Sequence, residues 1–173
     1  MKNIFLILSL PIFFAPGYVS AQTCKDSILP RITEAQFIDH GDGTVSDAKT
    51  GLMWTVCTAG QVYSSDGCSG SSETYQWGDG LQYVAALNAA GGFAGRADWR
   101  MPSINELSSI VDRRCFAPSI TLSVFPDTPS SAYWSSTPSL TDNLGVSIDF
   151  STGSDLVPEV VTDRHVRLVR DVQ

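Results

Sequence analysis

Histidine is nearly absent from this chain, which holds only His40 and His165. Acid–base chemistry of the usual neutral-pH kind therefore has two possible seats and no more. The patterns that most often carry catalysis or a bound nucleotide are missing as well: there is no G-x-S-x-G, no H-E-x-x-H and no G-x-x-x-x-G-K-[ST]. Neither a C-x-x-C nor a histidine pair is present to hold zinc. Positive charge is also in deficit, 11 Lys and Arg against 18 Asp and Glu, and the arginines are dispersed. Binding to nucleic acid or to an anionic membrane surface rests on Lys/Arg neutralisation, so this composition argues against both.

Only one stretch is long and apolar. "MKNIFLILSLPIFFAPGYVSAQTC" supplies Lys2, an apolar run from Ile4 to Phe14, and small residues at Val19, Ser20 and Ala21. A charged start, a short apolar middle and a small-x-small end predict a signal peptide over 1–21, cut before Gln22. A membrane span needs roughly 20 apolar residues, and this run, interrupted by Pro11, reaches about half of that. Ala-Gln-Thr ahead of Cys24 lacks the small-residue ending of a lipid-attachment site. The expectation is a single mature domain over 22–173, secreted to the periplasm, cell surface or medium, without a membrane span. Losing Lys2 with the leader takes the formal charge from -7 to -8.

Export changes the meaning of Cys24, Cys57, Cys68 and Cys115, because an even count outside the reducing cytosol predicts disulfides. Cys57 and Cys68 bracket the Gly/Ser-rich segment "CTAGQVYSSDGC". A local bridge there would tie down a segment with little apolar content, which leaves Cys24 for Cys115.

Along the mature chain, "RITEAQFIDHGDGTVSDAKTGLMWTVC" reads as short strands joined by tight turns at Asp42-Gly43 and Thr50-Gly51. Asp39, Asp42 and Asp47 imitate a calcium loop, but the closing Glu and the alternate-position ligands are missing, so they read as turn residues. Trp77, Leu81, Val84 and Leu87 recur at helical spacing, with Gly78 and Gly80 weakening the helix start and "NAAGGFAG" ending it. In "ADWRMPSINELSSIVDRR", Ser103 and Glu106 form a capping box that starts a second helix at Ile104. Its core face is Ile104, Leu107, Ile110 and Val111; Asn105, Ser108, Ser109 and Asp112 take the solvent face, with Arg113 and Arg114 offsetting the helix dipole. Beyond Cys115, strand candidates "AYWSS", "GVSIDF" and "HVRLVRDV" alternate with polar loops. Strands, two helices, then strands again predict an α+β fold.

"GDGTVSDAKTGLMW", "ADWRMPSINELSSIVDRRCFAPSI", "VFPDTPSSAYWSS" and "HVRLVR" together resemble the Lcl C-terminal domain family, named for the terminal domain of a bacterial collagen-like adhesin. The likeness runs from about Phe37 to Arg170. It implies a C-type-lectin-like fold, with two helices packed on antiparallel sheets and the N- and C-terminal strands adjacent. It implies a non-catalytic exported domain that binds other molecules, sulfated polysaccharides among them, and it agrees with the pairing of Cys24 with Cys115 and Cys57 with Cys68. The matching residues Trp54, Trp99, Pro102, Glu106, Trp134, Arg167 and Arg170 look like scaffold. The Glu-Pro-Asn and Trp-Asn-Asp elements by which calcium-dependent lectins hold sugars do not occur, so calcium-dependent binding does not follow from the fold.

The functional expectation is a binding or adhesion domain for an extracellular polysaccharide or a host or neighbour surface protein, without cofactor or metal. Its recognition surface is placed in the polar loops, at Asp142, Asn143, Ser151, Ser154, Asp155, Asp163 and Arg164, where hydrogen-bonding side chains cluster on a disulfide-fixed frame. Two alternatives stand beside it. One is an exported hydrolase using carboxylates or His40 and His165; the other is a structural subunit of a surface assembly.

Overall fold

Turn chemistry builds the first sheet. The computed structural model describes residues 21–172, so the expected leader, Ala21 apart, lies outside the described residues. After a two-residue strand β1 (Thr23–Cys24) come β2 (Phe37–Asp39), β3 (Thr44–Asp47) and β4 (Leu52–Thr55), each antiparallel to the next. Asp39 Oδ1 accepts Gly41 N–H, Asp42 Oδ1 accepts Thr44 N–H and Asp47 Oδ1 accepts Lys49 N–H, at 2.9, 3.0 and 2.9 Å. The three aspartates are thus spent on their own turns.

The loop closed by Cys57 and Cys68 folds into a small hairpin, β5 (Val62–Ser64) with β6 (Gly67–Ser69), and β7 (Thr74–Tyr75) follows. Helix α1 (Trp77–Ala89) begins at Trp77 despite its two glycines. Gly80 has a packing reason: a Cβ there would stand 3.2 Å from Val166 Cγ2 and 3.3 Å from Met101 Sδ. Val84 is buried, but Leu81, expected on the core stripe, is 36% exposed, because the helix docks through Gly80 and Val84.

Helix α2 (Ile104–Ser109) starts where its capping box dictates: Ser103 Oγ accepts Glu106 N–H and Glu106 Oε2 accepts Ser103 N–H. It ends at Ser109, so Arg113 and Arg114 lie beyond its last turn. Asp112 is buried rather than solvated, since it accepts from Arg114 Nη2 at 2.7 Å.

The chain continues through β8 (Cys115–Phe116), which pairs with β1 beside the Cys24–Cys115 bridge. Then come β9 (Ala132–Pro138), β10 (Gly145–Asp149), β11 (Ser154–Leu156), β12 (Arg164–His165) and β13 (Val169–Asp171). The closing stretch, expected as one strand, is two. β12 joins the five-stranded sheet β11-β10-β9-β12-β7, whereas β13 joins the four-stranded sheet β13-β4-β3-β2. Val166 to Leu168 cross between the sheets, their backbone held by Ala59 N–H on Val166 O and Thr55 N–H on Leu168 O. Every residue from His165 to Arg170 is buried, not just one face. The last strand therefore runs beside β4, within the N-terminal sheet.

The result is an α+β fold with two helices packed against sheets that are antiparallel except where β12 runs parallel to β9. One core gathers Trp54, Leu107, Ile110, Phe125, Tyr133 and Phe150; the other gathers Val84, Trp99, Met101, Trp134 and Val166 under α1. Trp54, Trp99 and Trp134 are core residues, and Trp77 is half-buried, its Nε1–H donating to Ser135 O.

Candidate functional site

The polar residues expected to form a recognition surface are divided by β10. Before it, Asp142 and Asn143 are exposed on the turn from β9, with Asn143 at φ 60°. The segment after β11 locks against this turn: Val160 N–H donates to Asn143 O and Gly145 N–H to Pro158 O, both at 2.9 Å, and Leu144 bridges Glu159. The interlocked loops also carry Leu140, Val157 and Val161, all exposed. On the far side of β10, Ser151 donates its N–H to Asp149 Oδ1, while Ser154 and Asp155 sit in β11 opposite Asp149 and Ile148. Asp163 is exposed, and Arg164 opens β12 with its guanidinium 5.5 Å from the centroid of Trp134. Burial pulls the Arg164 pKa down, and the charge of Asp149 opposes that shift. So Asp142 and Asn143 share a surface with the loop after β11, and Ser151, Ser154 and Asp155 are grouped apart from them.

A second arrangement was not legible in the sequence. Arg31 from the N-terminal arm, Lys49 from the β3–β4 turn and Arg113 from the segment after α2 line one hollow of about 590 Å³, with Thr50, Ser108 and Ser109 between them. Each has a local reason for its place. Ile32, 6% exposed, anchors the arm that carries Arg31. The turn on Asp47 presents Lys49, and Arg113 is held by Gly153 O at 2.7 Å and Ser108 Oγ at 3.4 Å. The carboxylate of Asp47 also borders the hollow but is fully buried, and its Oδ2 makes no hydrogen bond among the described residues. Three cations against one buried carboxylate give this hollow a positive mouth on an acidic protein.

The histidines are occupied elsewhere. His40 Nε2 lies 2.8 Å from Ser46 Oγ, and His165 is buried with Nδ1 3.0 Å from Glu73 O.

A disulfide-braced α+β frame offering a charged hollow and a polar loop edge defines a binding module. The chain belongs to the Lcl C-terminal domain family, whose model matches residues 43–170. That family is the C-terminal domain of a bacterial adhesin, and the role of the chain is accordingly adhesion-type binding without catalysis. No curated protein matches the chain. Among the described residues, no helix is long and apolar enough to cross a membrane.

Proposed function

We propose that the chain is an exported adhesin domain, with a leader over 1–21 and one C-type-lectin-like domain over 22–173, that holds an acidic extracellular polysaccharide. The return of β13 to β4 and the long loops ahead of it favour the lectin-like arrangement. The observation that carries the ligand class is the convergence of Arg31, Lys49 and Arg113 on one hollow. Dispersed in sequence, these cations are concentrated in space, so a net negative chain can still take a polyanion at one place. Sulfate or carboxylate groups would be held by charge-assisted hydrogen bonds from the arginines, with Ser108, Ser109 and Thr50 supplying neutral ones.

A second reading keeps the loop edge as the recognition surface. Exposed Leu140, Val157 and Val161 beside Asp142, Asn143 and Asp163 suit a surface protein better than a polyanion. Ser151, Ser154, Asp155 and Arg164 would form a separate, smaller contact.

The test compares two variants of the oxidised chain on immobilised dextran sulfate and on unsulfated dextran. Reversing charge in Arg31→Glu/Lys49→Glu/Arg113→Glu should abolish a salt-sensitive retention on the sulfated matrix. Asp142→Ala/Asn143→Ala/Asp163→Ala should leave it intact. Loss on the second variant and not the first would transfer the site to the loops.

A further inference from the structure

Beside the Cys57–Cys68 bridge lies another hollow, of about 250 Å³, floored by Thr55, Ala59 and Leu168 and walled by Tyr63, Tyr83 and Phe93. The three rings come from separate elements: Tyr63 from β5, Tyr83 from α1, and Phe93 from the turn that follows α1. All three are half-buried, so each keeps part of its ring open to solvent.

Their positions are fixed in advance. Tyr63 pairs with Cys68 in the hairpin that the disulfide closes. Tyr83 stacks on Tyr75 with centroids 4.9 Å apart, and the Tyr75 hydroxyl donates to Glu73. Gly43, at φ 87°, sits behind the other two rings; a Cβ there would stand 2.9 Å from Phe93 Cζ and 3.0 Å from Tyr63 Cγ. A site held this way loses little freedom when it is filled.

The polar groups sort into used and free. Thr55 Oγ1 donates to Cys57 O and accepts Leu168 N–H, and the Gln61 amide is spent on Thr58 N–H and Asp127 O. The hydroxyls of Tyr63 and Tyr83 make no hydrogen bond among the described residues. No Lys, Arg, Asp or Glu lines the hollow, and the nearby carboxylate of Glu73 further disfavours an anion. Sites for drug-sized ligands run from roughly 300 to 1,000 Å³, so this one suits a single ring.

We propose that this hollow binds one uncharged pyranose ring of a glycan, its C–H face against the Tyr63, Tyr83 and Phe93 rings and its hydroxyl edge on the two phenols. Aromatic faces carry partial negative charge and attract polarised C–H groups, while the free phenols supply donors and acceptors that a purely apolar ligand would not use. The site is separate from the cationic hollow in place and in chemistry, and its binding is insensitive to salt.

Amide and aromatic NMR shifts of the oxidised chain, titrated with methyl glycosides of glucose, galactose and mannose, test it. At least one glycoside should give saturable shifts at Tyr63, Tyr83 and Phe93, unchanged by salt and by Arg31→Glu. Tyr83→Ala should weaken that binding by about tenfold, the loss of one stacked ring and its hydroxyl. Val62, 66% exposed at the mouth, provides a variant that spares the core: Val62→Arg should block the hollow with thermal unfolding unaltered. Absence of saturable shifts at the three rings with every glycoside would overturn the proposal, as would binding that survives Val62→Arg in the folded protein.

Discussion

The guanidinium of Arg167 stands 4.8 Å from the ring centroid of Phe125, fully buried. Among the described residues it bonds no carboxylate: Nη1 donates to Thr55 O and Val56 O, Nη2 to Thr128 Oγ1, and the Tyr133 ring lies 5.9 Å away. A buried cation is tolerable here because carbonyl dipoles and ring faces surround it in place of water. Burial still lowers its pKa.

Replacing Arg167 with Ala should therefore cost about 3–5 kcal/mol, from a large cavity plus acceptors left without donors. Arg167→Lys should recover only part of this, since a single ammonium cannot reproduce the planar fork. Chemical denaturation of the oxidised variants measures both, and a near-neutral Arg167→Ala would contradict this account of the core.

Acidification should destabilise the fold through His165. Burial lowers its pKa, the hydrogen bond with Glu73 O opposes this, and the charge of Arg167 lowers it further. The folded state thus favours the neutral ring. Its stabilising contribution is complete above the unfolded value of about 6.5 and is lost as pH falls through the lower folded value. The carboxyls of Glu106 and Asp98 are held below their ordinary range by Arg100 and Arg170 respectively, so their loss begins only near about pH 4. His165→Gln should flatten the melting-temperature profile in the window between the two, leaving the acid limb in place.

The bridges should differ in worth. Cys24–Cys115 spans a separation of 91 residues and Cys57–Cys68 one of 11. Chain-entropy arithmetic gives about 4.6 and about 2.8 kcal/mol. Paired Cys→Ser variants compared by denaturation should follow that order. Only removal of the shorter bridge should loosen the hairpin that carries Tyr63.

The cap of α2 should be worth about 1 kcal/mol through Ser103→Ala, whereas Asn105→Ala on the exposed face should stay within about 0.5 kcal/mol. Equal effects would mean that the capping box does not set the helix start.

How much of this was readable beforehand depended on whether the cause was local. The capping box, the aspartate turns and the α+β order rest on residues a few positions apart, and the sequence displays them directly. The division of "HVRLVRDV" between two sheets depends on partners far along the chain. So does the cationic hollow, since nothing near Arg31 announces Lys49 or Arg113. The polar loops were easy to single out by composition, yet composition does not say that β10 separates Asp142 from Ser154. The aromatic hollow left a faint trace, Val62 and Tyr63 inside an otherwise largely polar disulfide loop, but the rings facing them come from α1 and the turn beyond it.

The Cys24–Cys115 bridge decides where a pull on the chain would travel. Tension entering at the N-terminal end passes through sulfur directly to Cys115, leaving the chain between them, a separation of 91, outside the load-bearing path. At about 3.4 Å per residue, roughly 300 Å of chain is thereby withheld from extension. Both helices, the four-stranded sheet except for β13, and the linings of both hollows save Leu168 lie within that shielded span. A tug strong enough to peel β13 away would still find residues 24–115 covalently closed.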